Sequence, residues 1–145
     1  MEITEQYVRE LFERLEGGDS PAFFRHVADD VDWTVMGTHP LAGHYQSKAD
    51  FIAGTFARLA PLLPGGAQLC VRHVHVAGNQ ATIELQSMAT SSSGMRFDNR
   101  YCWVVYFDNR RIVRVRAYLD SAMLAELFAR EAAAAAPRPV PLSPP

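Results

Sequence analysis

Glu84 and Gln86 stand two apart in a run of alternating apolar and polar residues, Gln80 to Gln86. On a strand, both side chains would therefore project from one face. If that face looked into an apolar cavity, desolvation would raise the Glu84 pKa toward the range of a general base, with Gln86 alongside to polarise or donate. Taken alone, the alternation reads the other way: Ile83 and Leu85 go inward and Glu84 meets water. His39, in the breaker-rich loop from Gly37 to Gly43, is a second candidate for proton transfer, because imidazole titrates near ~6.5. A loop histidine beside Pro40 is equally at home on the surface. His73 and His75 share a strand face and could both reach one metal ion; no third ligand stands at a recognisable spacing, so no metal is expected. Cys102 reads as a small apolar group, since a reactive thiolate needs a nearby cation or helix N-terminus and only Arg100 is close. Asp120, just before Ser121-Ala122-Met123, reads as a helix cap.

The elements that must position these residues follow from periodicity and breakers. Tyr7, Val8, Leu11, Phe12 and Leu15 recur at helical spacing and predict a helix over 4–16, ended by Gly17-Gly18. Ser20 as cap and Pro21 at the first position start a second helix carrying Phe23, Phe24 and Val27. A strand over 31–36 places Trp33 and Val35 on one face. Ser47 with Asp50 three residues on starts a helix that stops at Pro61. Strands are then expected near 67–77, 80–90, 96–107 and 111–119, and a last helix over 121–135. The segment 97–120 reads as one long hairpin around Asp108-Asn109-Arg110. Pairing Phe107 with Ile112 in a regular register sets Asn99, Tyr101, Trp103 and Val105 opposite Asp120, Tyr118, Arg116 and Arg114. Arg100, Cys102, Val104 and Tyr106 then face Leu119, Ala117, Val115 and Val113. Helices kept apart from a run of antiparallel strands make an α+β domain.

The totals exclude several classes. The chain has 145 residues, 48% hydrophobic and 21% charged, with a net charge of -2. That is enough for one ordinary core and gives no reason to expect nucleic acid or an anionic membrane. Cys70 and Cys102 without a CxxC suit a reducing cytoplasm. The acidic opening MEITEQYVRE predicts no signal peptide, and no apolar run reaches membrane-spanning length. One domain is expected over 1–136, with a disordered Pro-rich tail over 137–145.

Three stretches carry a resemblance: 28–33 (ADDVDW), 39–45 (HPLAGHY) and 111–120 (RIVRVRAYLD). With the element order, they make the chain similar to SnoaL-like members of the nuclear transport factor 2-like superfamily, which includes ketosteroid isomerases, limonene epoxide hydrolases and polyketide cyclases. The resemblance implies a cone-shaped domain: a curved, mainly antiparallel sheet wrapped around three N-terminal helices, with a C-terminal helix. A cavity would lie between the helices and the concave face. It implies no cofactor, and often a homodimer, here through the convex face of the sheet.

Position by position, the catalytic residues of two relatives are missing. The isomerase base falls on Val35, its oxyanion residues fall near Leu11 and on Cys102, and the hydrolase acid falls on Ala117. The hydrolase Arg-x-Asp falls on Glu84-x-Gln86, which argues that Glu84 faces inward. The expectation is thus a pocket for an apolar small molecule lined by Trp33, Val35, Gln86, Arg100, Cys102, Val104, Val115, Ala117 and Leu119, with Glu84 and His39 as catalytic candidates. It would serve a cofactor-independent isomerase, cyclase or hydratase; the alternative is a non-catalytic ligand-binding or dimeric interaction domain. Tyr101, Trp103, Arg114, Arg116 and Tyr118 are expected outside, on the convex face.

Overall fold

A computed structural model describes residues 3–136; the expected tail, 137–145, lies outside the described residues. Helix α1 (Glu5–Glu16) is capped by Thr4, whose hydroxyl accepts from the Tyr7 amide, and buries Val8, Leu11, Phe12 and Leu15 along one stripe. Helix α2 (Ser20–Phe24) is capped one residue earlier than expected. Asp19 accepts from the Ala22 amide, and Ser20 is already helical.

Strand β1 (Val27–Val35) begins four residues before the expected strand and pairs with a short β2 (Gly43–Tyr45), which starts at the last residue of the segment expected to be a loop. The expected third helix is two: α3 (Lys48–Gly54), capped by Ser47, and one turn of α4 (Phe56–Leu59). Thr55 breaks them apart at φ −129, ψ −82, its hydroxyl donating to the Phe51 carbonyl at 2.6 Å. Strands β3 (Leu69–Ala77), β4 (Gln80–Ser87), β5 (Ala89–Thr90), β6 (Arg96–Phe97), β7 (Arg100–Asp108) and β8 (Arg111–Leu119) follow, and α5 (Ser121–Ala135) closes the order.

The result is an α+β domain with an open, curved, six-stranded sheet in the order β2-β1-β8-β7-β4-β3, while β5 and β6 form a separate ribbon. All pairs are antiparallel except β1 with β8. The concave face carries the core: Trp33 of β1, Ile83 and Leu85 of β4, Trp103 and Val105 of β7 and Val115 of β8 meet α1 and α2. Each such side chain contributes roughly 1.5–3 kcal/mol by leaving water. A second cluster joins Leu124 and Leu127 of α5 to Leu41, Leu63, Met95 and Phe97.

The hairpin departs from its expected register at one residue. Asn109 and Arg110 take positive φ, 53 and 63, the two-residue turn that suits twisted strands. Phe107 pairs with Ile112, but Tyr106 pairs with Arg114, leaving Val113 as a bulge. Because side chains alternate, that extra residue changes the parity of everything beyond it. Cys102 therefore faces Tyr118, and Trp103 faces Ala117. Val115, Ala117 and Leu119 share the concave side with Tyr101, Trp103 and Val105, while Arg114, Arg116 and Tyr118 share the convex side with Cys102, Val104 and Tyr106.

Candidate functional site

The concave side of the sheet and the α3–α4 segment enclose an apolar cavity of about 220 Å³, continuous in its walls with an inner pocket of about 50 Å³. Tyr101, Trp103, Phe56 and Leu59 border both. Strand alternation aims Tyr101 and Trp103 inward, and the β1–β8 pairing brings Trp33 and Val35 beside Val115 and Ala117. The inner wall is aromatic. Trp33 stacks on Phe51 at 3.8 Å between centroids and stands edge-on to Trp103 at 5.2 Å. A third recess of about 120 Å³, among Gly18, Ser20, Gly66 and Gln68, adjoins the larger cavity.

Tyr101 is the only ionisable side chain bordering the two main pockets among the described residues. It lies beneath the surface yet keeps part of its area open, because that part faces the cavity. Burial holds its phenol proton far more tightly than usual, and the nearby Ser87 hydroxyl opposes this only weakly. At any ordinary pH, Tyr101 is thus a neutral hydrogen-bond donor. Trp33 is fully buried, and its indole Nε1 has no acceptor among the described residues. An unpaired buried donor costs about 1–3 kcal/mol. The hydroxyls of Ser20 and Thr55 and the indole N–H of Trp103 belong to the other polar side chains that border the two pockets.

Several expected positions are corrected. Glu84 is exposed on the convex face, opposite Cys102 on one side and His73 on the other. The simple alternation was the right guide, for Ile83 and Leu85 are the buried pair. Gln86 is on the same outer face, accepting from Arg72 Nε at 3.1 Å. Arg100, Cys102 and Val104 are outside with it, opposite Gln86, Glu84 and Thr82 of β4, and the bulge at Val113 sets Tyr118 and not Ala117 across from Cys102. Burial first and the Glu84 charge second push the Cys102 thiol up, away from thiolate.

His39 is buried in its loop and used at both ring nitrogens. Nε2 lies 2.9 Å from the Met36 carbonyl, and Nδ1 accepts from the Leu41 amide at 3.1 Å. That pairing specifies the neutral Nε2–H form. It also explains Gly37, at φ +113, where a Cβ would meet Ser121 Oγ at 2.5 Å and His39 Cδ2 at 2.9 Å. His39 holds the loop and does not border the cavity.

Trp33, Val35, Ala117 and Leu119 line the inner pocket. Val115 is on the same face but fully buried in the core. Tyr101 and Trp103, expected outside, are its central polar and aromatic walls, and Phe56 and Leu59 were not foreseen as wall residues. The missed signal was local: Tyr101 and Trp103 share strand parity with Val105 and Phe107, the most apolar face of β7.

Asp120 accepts from the Met123 amide at 3.2 Å as the cap of α5. Buried Asn99 clasps its backbone, donating to the Asp120 carbonyl and accepting from its amide. Among the described residues no three His, Cys, Asp or Glu side chains gather as a metal site.

Residues 8–115 match the SnoaL-like domain family. The chain belongs to that family. It is 25% identical over 126 residues to the dimerizing cyclase phiC of a fungal species (strain ATCC 74256), covering 84% of this chain. The chain spans about half, 55%, of that relative's length. Among solved structures, an NTF2-like protein of Burkholderia thailandensis superposes with a TM-score of 0.73 at 24% identity over 86% of this chain and 95% of that one. Bal32a, from a soil-derived mobile gene cassette, gives 0.72 at 21% identity over 85% and 94%. TerC, co-crystallised with polyporic acid, gives 0.68 at 18% over 86% and 96%. These superpositions establish the NTF2-like cone. The SnoaL-like assignment brings the chain into a small-molecule-binding family of isomerase and cyclase type. No helix among the described residues is long and apolar enough to cross a membrane.

Proposed function

We propose that this SnoaL-like chain binds a neutral, apolar, ring-sized molecule bearing a carbonyl-type acceptor, and that its chemistry is cyclase- or isomerase-like moulding of that molecule. The observation that carries this reading is the makeup of the wall: aromatic and aliphatic side chains around a single ionisable group, Tyr101, held protonated. An apolar pocket with a few placed donors is the usual form of a small-molecule site. The Tyr101 hydroxyl polarises the acceptor oxygen, the unpaired Trp33 N–H is available to an acceptor that reaches it, and the walls fix the conformation. The cyclase relative supports the reaction class.

Base-initiated isomerisation or hydration by Glu84 and His39 loses its geometric basis, because neither borders the cavity. Binding without turnover is the second reading, favoured by the same lack of a carboxylate in the wall.

Two copies joined through the convex face complete the proposal. The parallel β1–β8 pair is bare on that side, whereas parallel strands are normally covered on both faces. Tyr118, 42% exposed, and Arg116, bonded to the Tyr106 hydroxyl at 3.1 Å, present the residue types common at interfaces. Free Cys70 and Cys102 support a cytoplasmic setting.

Calorimetry with 1-tetralone and its deoxygenated counterpart tetralin tests the donor. The wild type prefers the ketone by about fivefold, the worth of one hydrogen bond, and Tyr101→Phe binds both alike. The preference stays flat up to pH 10, where an ordinary tyrosine ionises, because burial holds the Tyr101 proton well above that range. Equal binding of the two by the wild type would sink the assignment.

A further inference from the structure

Phe56 is the one described residue that borders all three recesses: the main cavity, the inner aromatic pocket and the outer recess near Gly66. We infer that Phe56 is a partition that sets the length of ligand the cavity accepts, an inference that rests on the small-molecule reading above. Phe56 borders the inner pocket and the larger space alike. It meets Phe24 edge-on at 5.3 Å and Phe51 at 6.0 Å, and it is only half-buried.

The local backbone suits a wall held separately from α3 and packed against the core cluster from its edge. The break at Thr55 separates Phe56 from α3, and α4 is a single turn that buries none of its four residues. Hydrogen bonds fasten the two sides of this turn: Thr55 to Phe51, and the Arg58 guanidinium to the Pro40 carbonyl at 2.7 Å. Shortening residue 56 would therefore remove a wall while leaving the sheet, the Trp33–Phe51 stack and the second cluster in place. With Phe56 present, a two-ring ketone occupies the cavity on one side of the partition. Without it, the inner pocket, main cavity and outer recess join into one longer slot for a three-ring ketone.

The chain supplies its own reporter, because its two tryptophans, Trp33 and Trp103, both border the inner pocket and their emission reads its occupancy. Quenching of that emission is titrated with 1-tetralone and 9-fluorenone for the wild type and for Phe56→Ala, Phe56→Leu and Phe56→Trp. Far-UV circular dichroism and thermal melts check each fold. The expected result is a wild-type preference for the smaller ketone. Phe56→Ala shifts the ratio toward 9-fluorenone by about tenfold, Phe56→Leu shifts it less in the same direction, and Phe56→Trp shifts it the other way, as pocket discrimination between neighbouring sizes allows. If Phe56→Ala does not fold, Phe56→Leu and Phe56→Trp still decide by moving the ratio in opposite senses. Wild-type binding with an unchanged ratio in the folded variants overturns the partition alone. Absence of quenching by either ketone in every form overturns the pocket reading and the partition with it.

Discussion

The two faces of the central sheet use the same strands for opposite purposes. On the concave side, Trp33, Ile83, Leu85, Trp103 and Val115 are all but sealed from water, and Trp33 and Trp103 border the cavity. On the convex side, Asp32 pairs with His44 at 2.6 Å, Arg116 bonds to Tyr106, and Glu84 stands in solvent. The groups with the most conspicuous chemistry are thus on the face without a pocket. The face with the pocket offers shape, aromatic surface and neutral donors. In this chain, charge marks the outside of the sheet, and a functional reading built on charged residues alone looks at the wrong surface.

The largest test of that division is Val115→Arg, at a position that the bulge at Val113 turns to the concave side opposite Val105. Burying an unpaired charge there costs several kcal/mol. The variant is expected to lose its cooperative urea transition and its near-UV circular dichroism, and a cooperative transition at the wild-type midpoint would mean that residue 115 does not face inward. Deletion of Val113 is the complementary test: it removes the unpaired residue and leaves Arg114 opposite Tyr106, so both faces keep their residues and the cooperative transition is expected to survive.

The same residue shows how much of this molecule is legible from its sequence. Helix α1 is readable because five apolar residues recur at helical spacing, and β4 because Ala81, Ile83 and Leu85 alternate with polar neighbours. The order of helices and strands, and hence the cone, follows from such patterns and the family resemblance. Val113 carries no such mark: it is one β-branched residue between Ile112 and Arg114, and nothing local distinguishes a bulge from a regular step. With the bulge there, Ala117 and Leu119 lie on the concave face, as expected, while Cys102 and Val104 lie on the other. His39 illustrates another limit, since a histidine tied to Met36 and Leu41 looks, in sequence, the same as one free for catalysis. The break at Thr55 was hidden too, because Phe56 and Leu59 continue the helical spacing of α3.

A smaller effect sharpens the contrast by comparing two glutamates. Glu131 on α5 accepts from the Ser93 hydroxyl at 2.6 Å and from the Ser93 amide at 3.2 Å, tying the helix to the 91–94 turn. Hydrogen bonds from Ser91 and Ser93 hold its carboxyl below the usual 4.5. A depressed carboxylate contributes stability that is present above 4.5 and disappears as the pH falls through its lower native value. Hydrogen-exchange protection over 121–135, taken relative to the intrinsic amide rate at each pH, is therefore expected to fall on acidification below pH 4.5. Glu131→Gln should exchange faster at neutral pH, with a weaker acid dependence. Identical exchange profiles for the two proteins would remove Glu131 as the tie.

Glu84 supplies the smallest effect and the clearest opposite case. Its carboxylate faces water on the convex side, with His73 across one strand and Cys102 across the other. Substitutions at exposed positions without such ties stay within about 0.5 kcal/mol. Glu84→Gln is expected to leave the urea midpoint and the 1-tetralone affinity where they are. Its one visible consequence should be at Cys102, whose thiol is raised partly by the Glu84 charge. Removing that charge lowers the thiol pKa, so alkylation of Cys102 followed against pH should shift toward lower pH, with Cys70 as the internal comparison. A loss of ketone binding in Glu84→Gln would show that the convex face reaches the cavity after all, and the division between the two faces would fail.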